Sequence, residues 1–349
     1  MNEIGAVVVR YRGGEEVASC LAALTEHGGS RLTRVVLVDS GSGDGGGERL
    51  GERFPEVELV ALSENRSFAW AVGIGAERLR TPYLLILNPD TEVGPGSIDR
   101  LADFLDAHPQ AAGAVPLLIG ADGSSQHRWQ LRRLPGPGRL ALGLPGRPAF
   151  AVPPTVATPV AQPAAACWLL RREVWTALDG LDPAFAPAWW EDVDFCARLA
   201  RISHRLSSRD RGDTGQCGVS TEVPPRRAVG TSQAVPPQET SQRPGSPRSQ
   251  QEVGETFGPS AARPSGLWVV PGATVRHLGG SSVAVLGDTA FFTAYFSNLR
   301  RYARRHHPGA ARGITAALRL GLLLRALCRP GRRRAYLAAR RRLADKLEP

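Results

Sequence analysis

Four apolar runs of strand length, separated by stretches of helical period or glycine-rich turns, fill the first ninety residues and leave few folds open. Ile4 to Val9, Val35 to Val38, Val57 to Leu62 and Leu84 to Leu87 are rich in Val, Leu and Ile, as strands buried on both faces are. After the first run, Gly13 and Gly14 break the pattern, and Val17, Cys20, Leu21 and Leu24 fall on one helical face. Gly45 to Arg53 predicts a short helix, and Phe68 to Leu79 a longer one with Ala69, Val72, Ala76 and Leu79 inward. A βαβαβαβ series is the pattern of an α/β, doubly wound, mostly parallel sheet with helices on both faces. Such sheets bind ligands outside the carboxyl ends of their strands.

The fourth run ends at such a place in Asn88, Pro89, Asp90 and Glu92. Beyond it, Ser97 is expected to cap a helix whose Ile98, Leu101, Phe104 and Leu105 face inward, and Ala112 to Ile119 reads as another strand. Residues 134–165 are rich in Pro and Gly with little period, the composition of a functional loop. Trp168 to Leu170 predicts a strand, Arg172 to Leu178 a helix, and Trp189 to Ala200 a second acidic cluster. Residues 267–277 predict a strand, a proline turn and a second strand ending at His277.

Between these, residues 207–266 hold eight Pro and nine Ser but only six residues from Val, Ile, Leu, Met, Phe and Trp, too few to fund a core, so a disordered low-complexity insert is expected. Loop closure costs only about 0.6 kcal/mol per doubling of length, so deleting the insert should leave the fold intact.

The net charge of +10 would suggest nucleic acid if it were spread evenly. Instead, residues 300–349 alone carry fourteen Arg and one Lys against Asp345 and Glu348, leaving the first 299 residues slightly acidic. Within that basic tail, Ile314 to Leu327 is apolar apart from Arg319 and Arg325, which suits a helix lying on an anionic membrane surface better than a nucleic-acid motif. No run of eighteen apolar residues occurs, so a spanning helix is not expected. The start of the chain is too short and acidic for a signal peptide, and the five scattered cysteines form no CxxC pair, which fits a reducing cytoplasm.

Gly41, Gly43 and Gly46 spell a G-x-G-x-x-G after a strand, but Asp39 and Asp44 flank them, and a carboxylate there repels a pyrophosphate. A dehydrogenase is therefore disfavoured, and a plain turn explains the glycines as well as a nucleotide contact does. Asn88 to Asp90 equally suits a polar turn. Set beside Glu191, Asp192, Asp194 and His277, however, Asp90 belongs to a set of oxygen ligands with one imidazole, which suits Mg2+ or Mn2+ on a diphosphate. Glu191 and Asp192 also fit a helix start, where the dipole favours acids by about 0.3–1 kcal/mol each. Trp189 and Trp190 read as core aromatics or as a platform for an apolar sugar face.

In order, VVVRYRGGEEVASCLAAL, VVLVDSGSGDGG, ENRSFAWAVGIGAE, YLLILNPDTEV, WWEDVDFCARL and VVPGATVRHLGGSS resemble the family 2 glycosyltransferases of the GT-A fold, especially their rhamnosyltransferase-like branch. The resemblance implies a GT-A domain over residues 1–206 and 267–299, interrupted by the insert and followed by a basic, amphipathic, membrane-associating helical tail over 300–349. It implies that Val9, Tyr11, Asp39 and Asn65 meet the nucleotide, that Asn88 and Asp90 meet its diphosphate, and that Asp90 and His277 hold the Mg2+ or Mn2+. Asp192, beside Glu191, would be the base for the acceptor hydroxyl, with Trp189 and Trp190 against the acceptor.

The activity so implied is inverting transfer of a sugar, rhamnose being the one the branch suggests, from a nucleoside-diphosphate donor to a glycan or lipid-linked acceptor, at the inner face of a bacterial cell membrane, with no nucleic-acid partner. Arg12, Ser40, Trp70 and Gly73 depart from the family's pattern, as does Asn88 in place of the first acid of a DxD. The first four of these, with the insert, leave a catalytically inactive binding or scaffold protein as the alternative; the change at Asn88 is one this branch often shows.

Overall fold

The computed structural model describes residues 2–210, 266–279 and 281–345. The expected insert at 207–266 lies outside the described residues except at its two ends: 207–210 continue a helix, and Gly266 precedes a strand.

Strands β1 (Ile4–Arg10), β2 (Leu32–Asp39), β3 (Glu58–Ala61) and β4 (Tyr83–Leu87) alternate with helices α1 (Glu15–His27), α2 (Gly46–Arg53) and α3 (Phe68–Glu77). These four strands pair in parallel in the order β3-β2-β1-β4, so the chain reverses its direction of winding at β1. That reversal opens a crevice at the carboxyl ends of β1 and β4. Every residue of β1 and β4 is buried, which is why those runs carry no polar alternation.

Past β4 come β5 (Thr91–Val93), α4 (Ser97–Ala107), β6 (Gly113–Ile119), α5 (His127–Gln130), β7 (Leu131–Arg132), α6 (Pro137–Ala141), β8 (Thr158–Val160), β9 (Gln162–Pro163), β10 (Cys167–Arg171), α7 (Arg172–Ala177) and α8 (Glu191–Asp210). The strand β11 (Leu267–His277) follows. The sheet grows to nine strands as β10 inserts antiparallel between β4 and β6, β11 adds parallel to β6, and β5 and β8 flank β11 antiparallel. It is therefore mixed and mostly parallel. One apolar layer lies under α1 and α4, the other under α3, α7 and α8.

Three local expectations are corrected. The proline turn within 267–277 is a register shift between Val270 and Thr274 inside one continuous strand, because Pro271 has no N–H for the ladder and is carried at a bulge. The helix cap is Gly96 in the left-handed region; the Ser97 hydroxyl instead exchanges hydrogen bonds with the Thr274 backbone, tying α4 to β11. The acidic segment after Pro89 contains strand β5, whose pairing partner is too distant in sequence to be read locally.

The chain ends in α9 (Ser281–His306), α10 (Ala311–Cys328) and α11 (Arg333–Arg342), which form a third apolar cluster with the start of α8. Ile314, Leu318, Leu322 and Ala326 of α10 are buried in it, so this side of the expected interfacial helix faces protein. Leu320, Leu324 and Leu327 remain 59%, 52% and 65% exposed on the other side. Among the described residues no helix is long and apolar enough to cross a membrane.

Candidate active site

A cavity of about 900 Å3 opens at the carboxyl ends of β1 and β4, and Val9, Tyr11, Asn65, Asn88 and Asp90 all line it. Glu191, Asp192, Trp189, Trp190 and His277 line it too, so segments far apart in sequence meet in one crevice. Asp39 stands outside this set.

Strand pairing brings Asp90 to His277. The antiparallel register sets Thr91 opposite His277, and the contact continues one step further where the Leu278 N–H donates to the Asp90 carbonyl at 3.0 Å. Both side chains are buried, and His277 Nε2 lies 3.7 Å from Asp90 Oδ1. That is too long for a hydrogen bond.

Gln126, at the start of α5, fixes the imidazole. Its Nε2 donates to the His277 carbonyl at 3.0 Å, so its Oε1 is the acceptor 2.8 Å from Nδ1. The ring proton therefore sits on Nδ1, and the Nε2 lone pair is left toward Asp90. Burial lowers the His277 pKa against the opposing pull of Asp90, which keeps the ring neutral and able to act as a ligand. Trp129 stacks on the same ring at 5.1 Å.

A carboxylate and an imidazole are a donor set that fits one divalent ion whose other ligands come from a diphosphate and water, as Mg2+ sites commonly do. Among the described residues no group of three His, Cys, Asp or Glu side chains forms a complete metal cage. Glu92 turns away to pair with Arg276 across β5 and β11 at 3.1 Å.

At the opposite wall, α8 begins with three acids that meet different fates. Glu191 is buried and its Oε2 has no hydrogen-bond partner among the described residues. Burial, reinforced by Asp192, pushes its pKa well above the usual carboxylate range, so it favours the neutral form. Asp192 is half-buried; burial raises its pKa against the opposing charge of Arg132. One oxygen accepts from Gln162 at 3.1 Å and the other from the Val193 N–H at 2.7 Å. Asp194 is fully buried, and there the raising effect of burial is outweighed by a hydrogen bond from His306 at 2.7 Å and by Arg198 and Arg305, so its pKa falls. It ties α8 to α9.

The turn entering α8 is strained. Trp189 and Trp190 both occupy positive φ, at 72° and 77°, which bulky residues avoid. Asn298 of α9 holds that turn, its Nδ2 reaching the carbonyls of Ala186, Ala188 and Trp189 at 3.1, 2.9 and 3.2 Å. Trp190 is only 3% exposed and packs on Tyr295 and Tyr302, so it behaves as a core aromatic with one edge on the cavity. Trp189 is the more accessible of the two, with Phe291 edge-on at 4.7 Å.

Asp39 has different work. Its carboxylate pairs with the buried guanidinium of Arg10 and accepts the Ser42 N–H at 3.0 Å, while Arg10 also reaches Asp44 at 2.8 Å. A Cβ on Gly46 would come within 2.0 Å of Arg10, and one on Gly47 within 2.5 Å of Asp39. Gly46, the last glycine of the G-x-G-x-x-G, and its neighbour Gly47 thus make room for an internal ion pair, while Gly41 admits the Glu64 backbone. Ser40 replaces it at the cavity wall and donates to Asn65 at 3.1 Å.

Gln126, Trp129, Arg132, Gln162 and Tyr295 were not legible as site residues in the sequence. The first four lie in the segment between β6 and β10 that carries no apolar period, and Tyr295 sits in a helix where an aromatic reads as core.

Residues 6–176 match the family described as Glycosyl transferase family 2. The chain belongs to glycosyl transferase family 2. It is 28% identical, over 56% of its own length and 69% of theirs, to proteins of two Mycobacterium tuberculosis strains named N-acetylglucosaminyl-diphospho-decaprenol L-rhamnosyltransferase. Its fold is shared with a solved structure described as GalNAc-T7 with UDP, GalNAc and Mn2+, at a TM-score of 0.53 and 12% identity. That match covers 88% of this chain and spans half the length of the other. The family 2 glycosyltransferase therefore has the GT-A architecture and is rhamnosyltransferase-like.

Proposed function

We propose that this protein is an inverting glycosyltransferase that moves a sugar, with rhamnose the leading candidate, from a nucleoside-diphosphate donor to a hydroxyl of a lipid-linked or cell-surface glycan. The observation that carries the reading is one cavity holding a ligand pair, Asp90 and His277, on one side and the raised-pKa carboxylate of Asp192 on the other. The relatives named for transfer to a diphospho-decaprenol acceptor support the acceptor class.

Tyr11, Val9 and Asn65 would contact the nucleoside, with Asn88 beside the diphosphate. Asp39, spent on Arg10, would act on the base only through the loop it holds. Asp90 and His277 would hold Mg2+ or Mn2+, which when bound would supply positive charge against the departing diphosphate. Asp192 accepts the acceptor hydroxyl proton as the new C–O bond forms at the anomeric carbon; the old C–O bond breaks with its electron pair leaving on the diphosphate. Attack from the face opposite the leaving group inverts the centre. Glu191, kept neutral beside Asp192, adds no second charge for the base to overcome.

The basic tail and the outward leucines of α10 support a peripheral position on the inner face of the cell membrane. A second reading, an inactive binding or scaffold protein, is favoured by the loss of Asp39 to Arg10. Nucleotide-sugar binding and turnover with Mn2+ or Mg2+, compared between wild type and Asp192→Asn, decides between them. Turnover lost in the variant with donor binding kept supports the enzyme; donor binding with equal inactivity in both supports the scaffold.

A further inference from the structure

Arg132 lines the cavity, Arg139 and Arg325 bond the adjoining carbonyls of Pro145 and Leu142, and an exposed apolar stripe lies on α10. Arg132 lines the cavity beside Asp192, and its Nε is buried with no acceptor among the described residues. A buried charged donor left unmatched is costly unless a ligand satisfies it. Neither Arg132 nor its neighbour Arg128, also on the cavity wall, pairs with a carboxylate side chain among the described residues.

Tyr295 lies on the same wall with Arg132 and Asp192. Arg139 donates to the carbonyl of Pro145, itself a lining residue, at 2.6 Å, so it stands at the rim. Arg325 donates to the Leu142 carbonyl at 2.8 Å, and Leu142 is 60% exposed. On the same helix as Arg325, Leu320, Leu324 and Leu327 recur at helical spacing on the open face of α10.

We infer that Arg132, Arg139 and Arg325 form a seat for the diphosphate of a prenyl-diphosphate-linked acceptor, whose sugar reaches Asp192 and whose tail leaves over Leu142 and the α10 leucines. The inference rests on the acceptor reading given above and names the residues that recognise it. Guanidinium groups suit a diphosphate because each offers paired donors in a plane and a permanent charge. The donor's own diphosphate is served at the other end, by Asp90 and His277. Trp129 touches both ends, stacking on His277 and standing 6.0 Å from the Arg132 guanidinium, so the seat and the donor site adjoin.

Farnesyl diphosphate serves as the probe, with farnesol and inorganic pyrophosphate as controls, in calorimetry on the full chain. It should bind more tightly than either control and should bind alongside a saturating nucleoside diphosphate with Mn2+. Arg132→Gln and Arg139→Gln should each weaken it by about tenfold, the scale of one charge-assisted contact, with little change in nucleotide affinity. Displacement of farnesyl diphosphate by the nucleoside diphosphate would overturn the inference, because the guanidinium groups would then serve the donor. Unchanged affinity in both variants, or no preference over farnesol, would overturn it as well. Failure of any nucleotide sugar to bind while farnesyl diphosphate still binds would instead remove the donor reading of the cavity and leave the seat standing.

Discussion

The two acidic walls of the cavity are built on opposite plans. At the end of β4, Asp90 is delivered by a short strand and matched to His277 through main-chain pairing, with Gln126 orienting the ring. At the start of α8, three acids share one helical turn and are told apart by surroundings: Glu191 with one oxygen unpartnered among the described residues, Asp192 near Arg132, and Asp194 locked by His306, Arg198 and Arg305. One wall obtains its chemistry from register, the other from unequal burial. Register fixes atoms in place for a ligand, whereas unequal burial sets which carboxylate takes a proton.

The largest effect should come from Asp192→Asn, which removes the proposed proton acceptor while keeping its shape. Transfer should fall by about 10²–10⁴-fold, the usual worth of a general base, with Mn2+-dependent nucleotide binding preserved. In wild type, burial lifts the Asp192 pKa, so the rate should fall as pH drops through a midpoint higher than that of a solvent-exposed aspartate. An equal loss of nucleotide binding would erase the division between the two walls.

Asp194→Asn tests whether the third acid is structural. Breaking a buried, multiply paired carboxylate leaves His306 and two arginines facing a neutral amide, at a cost of about 3–5 kcal/mol in a chemical denaturation curve. Because its folded pKa is lowered, the wild-type contribution is present above the unfolded pKa and is lost as pH falls through the folded one; the variant should lack that acid-side loss. A variant as stable as wild type, but inactive, would move Asp194 into the chemistry.

Gln126→Ala acts on the other wall alone. Loss of the ring's orienting partner should weaken metal-dependent nucleotide binding by about 10–100-fold, the scale for partners of ligating histidines, without a shift in the Asp192 pH midpoint. A shift in that midpoint would show the walls to be coupled.

The smallest effect is expected from Glu191→Gln at neutral pH. The raised folded pKa means that the native state keeps a proton the unfolded chain has released, so wild-type stability declines as pH rises through that folded value. Gln holds the neutral shape throughout, and the decline should flatten in melts taken across pH. An unchanged slope would put the proton elsewhere.

The parallel half of the sheet was legible because β1, β2 and β4 carry their burial in composition, and the acidic ends of β4 and α8 were legible as candidates for the same reason that acids stand out after apolar runs. The fate of Asp39 was not, since nothing in the spacing of Arg10, Asp39 and Asp44 announces a buried ion pair. Nor were Gln126 and Arg132 legible, lying where neither helical nor strand period marks a face.

By itself the sequence determined the βα alternation and the residue types available at the strand ends, while the strand order that reverses the winding at β1 came from the structure. Local burial patterns suffice for the alternation because they repeat every two or 3.6 residues. Only the tertiary structure decided that His277 reaches Asp90, that Asp39 turns to Arg10, and which of three neighbouring acids is raised or lowered. Those outcomes depend on strand register and on the charges that packing brings within a few ångströms, and neither is written in the spacing of residues along the chain.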